Sequence, residues 1–543
     1  MVRRAAVLGF ALLALVGGSA GARVRAVPAP VTSLVFTGHG YGHGVGMSQY
    51  GALGYAQHGY TYAQILAHYF PGTTLGSAPG LTLRVLLAEK KTSLTVSSTA
   101  PFTVRDGTGA THPLAAGAYA FGTGFVLRAV PPFEGSAGSA MPGPLTFSPG
   151  AAPLALAGKA YRGQLRAILT ADKTLEAINV VGLESYLYGV VPSEMPYIWA
   201  PDALEAQAIA ARSYALATRK QTGDFDVYGD VRSQTYGGIA AEHYETTAAV
   251  DKTRRQVVLY NGKVATTFFF STSGGRTAAI QDAWPNSAPV PYLVSVSDPY
   301  DALSPWHNWG PVLVEGATLR KALKLAGPVA DVTVTPGTGG RAASVAVTDT
   351  LGDSVTVAAD TFRTLLGLRS TWFSAGVLSL AASETPVAYG STVDLSGVAR
   401  GITQPTLQQR SAGGAWQPVG PVTPDGTGAF ELTQAPAVGT DYRLVAGKAT
   451  GPLLHVGVAP LLTLSELPDS GGVGGSVQPL LTGTTVGIQQ QTGTAWTTVA
   501  TATVDDAGNF EALFPLQPGG LYRARFAPGQ GFAVAVTEPL SAA

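Results

Sequence analysis

There is no cysteine in the 543-residue chain. That excludes disulfides, thiolate metal sites, a cysteine nucleophile and a lipidated cysteine anchor. Charge is scarce as well: 34 basic residues face 34 acidic ones, 13% of the chain together, so no net field draws a nucleic acid or an anionic membrane surface. Nucleic acid is therefore set aside as a partner. Beyond Val16 no apolar run reaches the roughly 20 residues needed to cross a bilayer.

What is abundant points to β structure. Hydrophobic residues make up 46% of the chain, beside 68 Gly and 37 Pro, a composition that builds real cores from short strands and many turns. The length predicts about three to four domains. At the start, Arg3 and Arg4 precede an apolar run from Ala5 to Val16 and the small residues Ala20-Gly21-Ala22. This is the three-part pattern of a signal peptide over 1–22, with cleavage expected after Ala22. The mature chain is then expected outside the cytoplasm, in the cell wall or periplasm, without a membrane span and as a monomer.

From about Leu378 the chain repeats itself. Trp416 matches Trp496, Gly428 matches Gly508, Phe430 matches Phe510, and Tyr442-Arg443 matches Tyr522-Arg523, each at a spacing of 80. Short alternating segments broken by Gly, Pro and Asp turns predict two tandem immunoglobulin-like β-sandwiches, 378–457 and 458–543. Trp416 and Trp496 are read as packing residues of these sandwiches in preference to sugar platforms.

The front part, 31–374, reads as a mixed α+β, β-rich domain. Leu81 to Leu87 and Gly163 to Val181 alternate like strands, and 81–160 has the look of an inserted β subdomain. Two segments read as helices. One runs from Asp202 to Thr218, with Pro201 at its start and a stripe of Leu204, Ala208, Ala211 and Ala215. The other, Tyr62 to Tyr69, stops before Pro71.

The most informative stretch is Gly189-Val190-Val191-Pro192-Ser193-Glu194-Met195-Pro196. Two prolines stiffen it, and it is expected to be a confined loop. Glu194, set among apolar neighbours, would be partly desolvated, which raises a carboxylate's pKa and makes a general acid. A surface Glu capping the next helix is the plain alternative. A second block, Gly38 to Ala52, holds His39, His43, Ser48 and Gln49 among six glycines. No Lys-Ser/Thr follows it, so it is not a phosphate loop, and the glycines argue against the helix that would pair His39 with His43 on zinc. Ser271-Thr272-Ser273-Gly274-Gly275-Arg276 follows an apolar segment and offers hydroxyls and amides as sugar or oxyanion donors. Asp298-Pro299-Tyr300 and Trp306-His307-Asn308-Trp309 fit a glycan cleft and equally a domain rim.

Val191 to Pro196, followed by Ala203-Leu204-Glu205-Ala206-Gln207-Ala208-Ile209-Ala210-Ala211-Arg212-Ser213-Tyr214-Ala215-Leu216, resembles the signature of the SpoIID/LytB family, the stage II sporulation protein D type. Tyr161-Arg162-Gly163, Leu183 to Leu187, Gln234-Thr235-Tyr236-Gly237-Gly238, Ser271 to Arg276 and Phe362 to Phe373 add to the likeness, which covers about 31–374. The resemblance implies a peptidoglycan lytic transglycosylase acting on glycan strands stripped of stem peptides, and the family also includes enhancers of a wall amidase. By resemblance Glu194 is the acid/base, and the groove would be lined by Ser193, Gln207, Arg212, Ser213, Tyr214, Ser271, Ser273, Gly274, Gly275, His43, Ser48, Gln49 and His307. One carboxylate suffices where the sugar's own hydroxyl replaces water. A two-carboxylate hydrolase would need Glu184, Asp298 or Asp301 within about 5 to 10 Å of Glu194. Some family members carry a cysteine-ligated zinc near the Gln-Thr-Tyr-Gly-Gly segment. With no cysteine here, no metal and no cofactor are expected. The Gly38 to Ala52 block usually follows the Phe373 segment in the family. Here it comes first, which reads as a circular permutation that folds it back beside Phe373, with His43 near Glu194.

Overall fold

The computed structural model describes residues 30–543 apart from 32, 130–139, 412, 448 and 468–470. The expected signal peptide, 1–22, lies outside them. The chain is strand-rich, with eight α-helices among the described residues. None of these is long and apolar enough to cross a membrane.

The front part is built on three apolar cores. In the first, a seven-stranded and a five-stranded sheet meet over Leu83, Val85, Val104, Phe147 and Leu165. Alternation of buried and half-exposed residues along Thr82–Lys91 and Gln164–Leu169 reflects the two faces of each strand. Because Leu175–Gly182 pairs with Thr82–Lys91, this β unit reaches past residue 160 to Gly182.

Five helices follow, α1 (Gln49–Gln57), α2 (Tyr62–Tyr69), α3 (Leu183–Glu194), α4 (Pro201–Thr218) and α5 (Tyr244–Lys252): α3 packs Tyr186, Leu187, Val190 and Val191 into the first core, and the other four cover the second. α4 begins with Pro201 in its first turn, where the missing N–H costs nothing. Its alanines 203, 206, 208, 210 and 211 are all fully buried, so small side chains let neighbours approach α4 from several sides. The Asp202 carboxylate accepts the Tyr62 N–H at 2.9 Å, joining the starts of α4 and α2.

The stretch read as a loop around Glu194 is helical. Pro192 sits inside the last turns of α3, where one backbone hydrogen bond is lost, and the Ser193 hydroxyl donates to the Gly189 carbonyl at 2.8 Å. Pro196 ends the helix by holding its predecessor Met195 extended (φ −137°, ψ 135°). The prolines thus place Glu194 at a helix end.

The third core centres on Phe36, Phe362 and Phe373 and corrects the expected domain boundary. A five-stranded sheet runs Asn308–Glu315, Ser33–His39, Phe373–Ala382, Val393–Arg400, Ala429–Gln434. Its central strand pairs with Ser33–His39 through Phe373 to Leu378 and with Val393–Arg400 through Val377 to Ala382. The boundary read between 374 and 378 therefore falls inside a strand, and Val35 of the front part shares a core with Leu378, Leu395 and Leu407. The same pairing sets the glycine-rich block beside Phe373.

In the tail, Phe430 and Phe510 are buried, as are Tyr442 and Tyr522. Asp425 and Asp505 cap matching turns, each accepting two backbone N–H groups. Of the two packing roles open to the repeated tryptophans, core or inter-strand, the geometry is inter-strand. Trp416 lies half-buried under the Arg443 guanidinium at 4.1 Å, and Trp496 under Arg523 at 4.2 Å, because each points from the solvent side of its sheet.

Leu378 is fully buried at the shared strand. Leu378→Ala is expected to cost about 2–5 kcal/mol and to lower the front part and the first tail module together in denaturant unfolding. Loss from one unit alone would contradict the shared sheet.

Candidate active site

Glu194 stands at the C-terminal end of α3, half-buried, in a cleft of about 320 Å³ lined by His43, Tyr214, Val231, Ser233, Thr235, Phe268, Phe269 and Trp284. Burial pushes its carboxyl pKa up, and the Thr235 N–H, donating to Oε1 at 2.6 Å, pulls the other way. The Thr235 amide is itself positioned by its neighbour. Gln234, fully buried, donates to the Ala211 carbonyl of α4 at 3.3 Å and accepts from the Tyr186 hydroxyl at 3.4 Å. Behind the carboxylate, the Gln49 Nε2 donates to the Glu194 carbonyl at 3.0 Å. Gln49 therefore positions Glu194 from inside the fold and does not line the cleft.

The glycine-rich block supplies a cleft wall. Gly44 and Gly46 take positive φ (86° and 80°), and a Cβ would come within 2.5 Å of the Arg341 guanidinium at one and 2.1 Å of the Phe268 carbonyl at the other. Only glycine fits both. Between them and Gly42, His43 packs its ring on Phe268, Phe270 and Trp284 at 5.3 to 5.9 Å. Its Nε2 meets the Phe269 carbonyl at 3.1 Å and its Nδ1 accepts the Val45 N–H at 3.1 Å. The carbonyl requires a donor and the N–H an acceptor, so the ring is the neutral Nε2–H tautomer with both nitrogens engaged. Desolvation lowers its pKa to about 4. His43 is thus a fixed, uncharged wall beside Glu194, with no lone pair for a metal.

Four of the expected groove residues converge elsewhere. The buried Asp301 carboxylate accepts the Ser48 hydroxyl at 2.9 Å, the Ser273 N–H at 2.9 Å, the Gly274 N–H at 2.8 Å and His307 Nδ1 at 3.0 Å. The Gly275 N–H is taken by the Ser273 hydroxyl at 3.0 Å. These amides were expected as oxyanion donors. They are consumed internally and fasten the Ser271 to Arg276 segment to the Asp298 to His307 loop. Ser271, half-buried, keeps its hydroxyl on Thr272 at 3.1 Å.

Three α4 residues are interior. Arg212, fully buried, makes a forked pair with Glu184 (2.6 to 3.3 Å) and donates to the Val250 and Gln256 carbonyls at 3.2 Å. Its fork is saturated, so it binds α3, α5 and the following strand and not a substrate. The Ser213 hydroxyl donates to Ile209 and accepts from Val258 N–H. Gln207 is fully buried, and Ser193 serves α3. Of the expected residues, Glu194, His43 and Tyr214 share the cleft. Thr235, Ser233, Val231, Phe268, Phe269 and Trp284 were not expected there. The Gln-Thr-Tyr-Gly-Gly segment had already marked Thr235's neighbourhood as part of the likeness, while nothing in the sequence points to Trp284.

Residues 171–260, which hold α3, Glu194, α4 and Thr235, match the family model SpoIID, stage II sporulation protein. Through this segment the chain is similar to the SpoIID family. An uncharacterized protein of Brachyspira hyodysenteriae is 36% identical over 158 residues, 28% of this chain and 42% of that one. The amidase enhancer of Bacillus subtilis is 36% identical over 142 residues (26% and 19%), and the stage II sporulation protein D of the same organism 34% over 153 residues (25% and 43%). The chain thus spans less than half the length of these relatives. A two-domain fibronectin type-III segment of chicken tenascin is 18% identical, with 30% of this chain and 98% of that one covered at a TM-score of 0.21, too slight a likeness to carry an argument.

Two outcomes are expected from these contacts. Asp301→Ala leaves two N–H groups, a hydroxyl and an imidazole without their buried acceptor, and should cost about 3–5 kcal/mol in thermal or denaturant unfolding. His43 has its pKa lowered from 6.5 to about 4 in the folded state, so its contribution is complete above pH 6.5 and is lost as pH falls toward 4, because the unfolded chain protonates first. His43→Gln should flatten the stability loss in that window. An unchanged slope would mean that His43 titrates freely.

Proposed function

We propose that this chain is a lytic transglycosylase that cleaves stem-peptide-free peptidoglycan strands between N-acetylmuramic acid and N-acetylglucosamine, with Glu194 as the one acid/base. The observation that carries the reading is a single desolvated carboxylate in an aromatic-walled cleft. Neither Glu184 nor Asp301 lines that cleft; one is committed to Arg212 and the other to Ser48, Ser273, Gly274 and His307. Asp298 is fully buried. A hydrolase's second carboxylate is thus missing from the cleft lining.

Protonated Glu194 gives its proton to the glycosidic oxygen as the bond to the muramic C1 breaks. The resulting carboxylate then takes the proton of the C6 hydroxyl of the same sugar as that oxygen closes on C1. The proton count balances, Glu194 returns to its acid form, and a 1,6-anhydro ring results. Its raised pKa keeps a fraction of the acid form available at higher pH than an ordinary Glu would. The aromatic wall of Tyr214, Phe268, Phe269 and Trp284 suits the apolar faces of sugar rings. The family match supports a role at the cell wall, and the signal-peptide pattern supports secretion.

A second reading is a noncatalytic enhancer of a wall amidase, as the name of the Bacillus subtilis relative suggests. It is favoured by exposed apolar side chains: Val231 in the cleft lining, at 88% exposure, and Ile198 at 77% and Tyr244 at 84%, which follow the two members of the stacked pair Tyr197–His243 (3.8 Å) in sequence. Such a patch suits a protein partner.

Mass spectrometry of denuded strands separates these readings. The wild type is expected to make anhydro-muramic ends, and Glu194→Gln to lose about a hundredfold to ten-thousandfold in rate, the range that general acid–base catalysis commonly contributes. Activity should decline as pH rises through the Glu194 pKa. Reducing ends would indicate a hydrolase, and intact strands with a stimulated amidase would establish the enhancer.

A further inference from the structure

At the opposite end of the glycine-rich block from His43 lies a second cleft of about 330 Å³, with Thr37, His39, Asn308, Trp309, Trp372 and Ser374 in its lining. It is built on three adjacent strands of the shared sheet. Cross-strand register places His39 opposite Asn308, Gly38 opposite Trp309 and Thr37 opposite Ser374. The polar pairs are made: His39 Nδ1 meets Asn308 Oδ1 at 2.6 Å, and the Thr37 and Ser374 hydroxyls lie 3.0 Å apart. All four of these side chains are exposed, so exposed residues are held in fixed geometry by the sheet beneath them. Trp309 lies against Gly38, where a Cβ would come within 2.4 Å of the indole. Half-buried Trp372 has the His39 ring at 5.0 Å.

Among the described residues, no Asp, Glu, Lys or Arg lines this cleft. Aromatic surface with pre-oriented donors and acceptors, and with no carboxylate, ammonium or guanidinium among them, suits an uncharged polyhydroxylated ring better than phosphates, carboxylates or charged peptides. The two clefts are near one another along the glycine-rich block. Four peptide steps separate His39 from His43, a reach of about 14 Å at most. Tyr41 stands between them with Trp306 at 6.2 Å, and the Arg369 guanidinium stacks on Trp306 at 3.4 Å.

We infer that this cleft is a second saccharide site, one that takes a neutral N-acetylglucosamine unit of a strand whose scissile bond lies at Glu194. The inference rests on the glycan reading of the first cleft. The acidic muramic unit, with its lactyl carboxylate, finds no cation in the lining and is disfavoured there.

The test uses the full chain and oligomers of β-1,4-linked N-acetylglucosamine, which contain no muramic acid. In titration calorimetry the hexamer should bind the wild type, and Trp372→Ala should weaken it by about tenfold, the scale of one lost aromatic stacking contact. Asn308→Ala, at an exposed position, should weaken it by about threefold, the low end of one neutral hydrogen bond, with an unchanged melting midpoint. Equal hexamer affinity in the wild type and both variants overturns the inference. Anhydro ends produced by a wild type that does not bind the hexamer leave the first reading standing and remove this one. Neither anhydro ends nor hexamer binding removes both.

Discussion

Asp301 is a charge taken out of water, and such a charge is stable only when its oxygens are filled. Filling them recruits Ser48 from the glycine-rich block, two amides from the Ser271 to Arg276 segment and His307 from the loop beyond. Ser48 is also the cap of α1, accepting the Gly51 N–H at 3.1 Å, so the same hydroxyl that donates to Asp301 fixes where α1 begins. The next residue, Gln49, reaches the end of α3 and holds the Glu194 carbonyl. A chain of contacts therefore runs from the buried Asp301 carboxylate through Ser48 and Gln49 to the backbone of Glu194. Segments some 250 residues apart in sequence meet at that point.

Within the cleft, opposing effects set the two titratable side chains. Desolvation favours the protonated form of Glu194 and the neutral form of His43, so both tend toward lower charge inside the same aromatic wall. One backbone N–H, from Thr235, limits the shift at Glu194. Two backbone groups, Phe269 C=O and Val45 N–H, lock the imidazole. The His43 ring is thereby held neutral with both nitrogens engaged, while the Glu194 carboxyl keeps only one backbone partner, the Thr235 N–H.

The elements with strong periodic or start signals were legible. Pro201 and the alanine-leucine stripe gave α4, the alternation of Leu81 to Leu87 gave a strand, and a spacing of 80 exposed the tail repeat. Glu194 was legible through its local motif, but its helical setting was not. A proline reads as a break, yet near the end of a helix it removes one hydrogen bond and leaves the turn intact. Donors are visible in a sequence and their acceptors are not. Ser273, Gly274 and Ser48 looked like ligand contacts because nothing local marks Asp301 as their partner, and Arg212 looked available because Glu184 lies 28 positions away. Trp416 and Trp496 were legible as packing residues, but the repeat fixes their position along the chain and not which face of the sheet they take.

The strand Phe373–Ala382 belongs to two units at once, and this changes what the tail can do. A flexible linker would let the front part swivel, so that tail attachment set only a distance. Continuous backbone pairing instead conveys direction. Whatever surface the tail grips also fixes the heading of the first tail module and, through the same strand, that of Ser33–His39 and the glycine-rich block behind it. A pull on the tail loads that strand in shear, where several hydrogen bonds resist together. The angle between the first tail module and the cleft wall is thus set by backbone pairing along one strand.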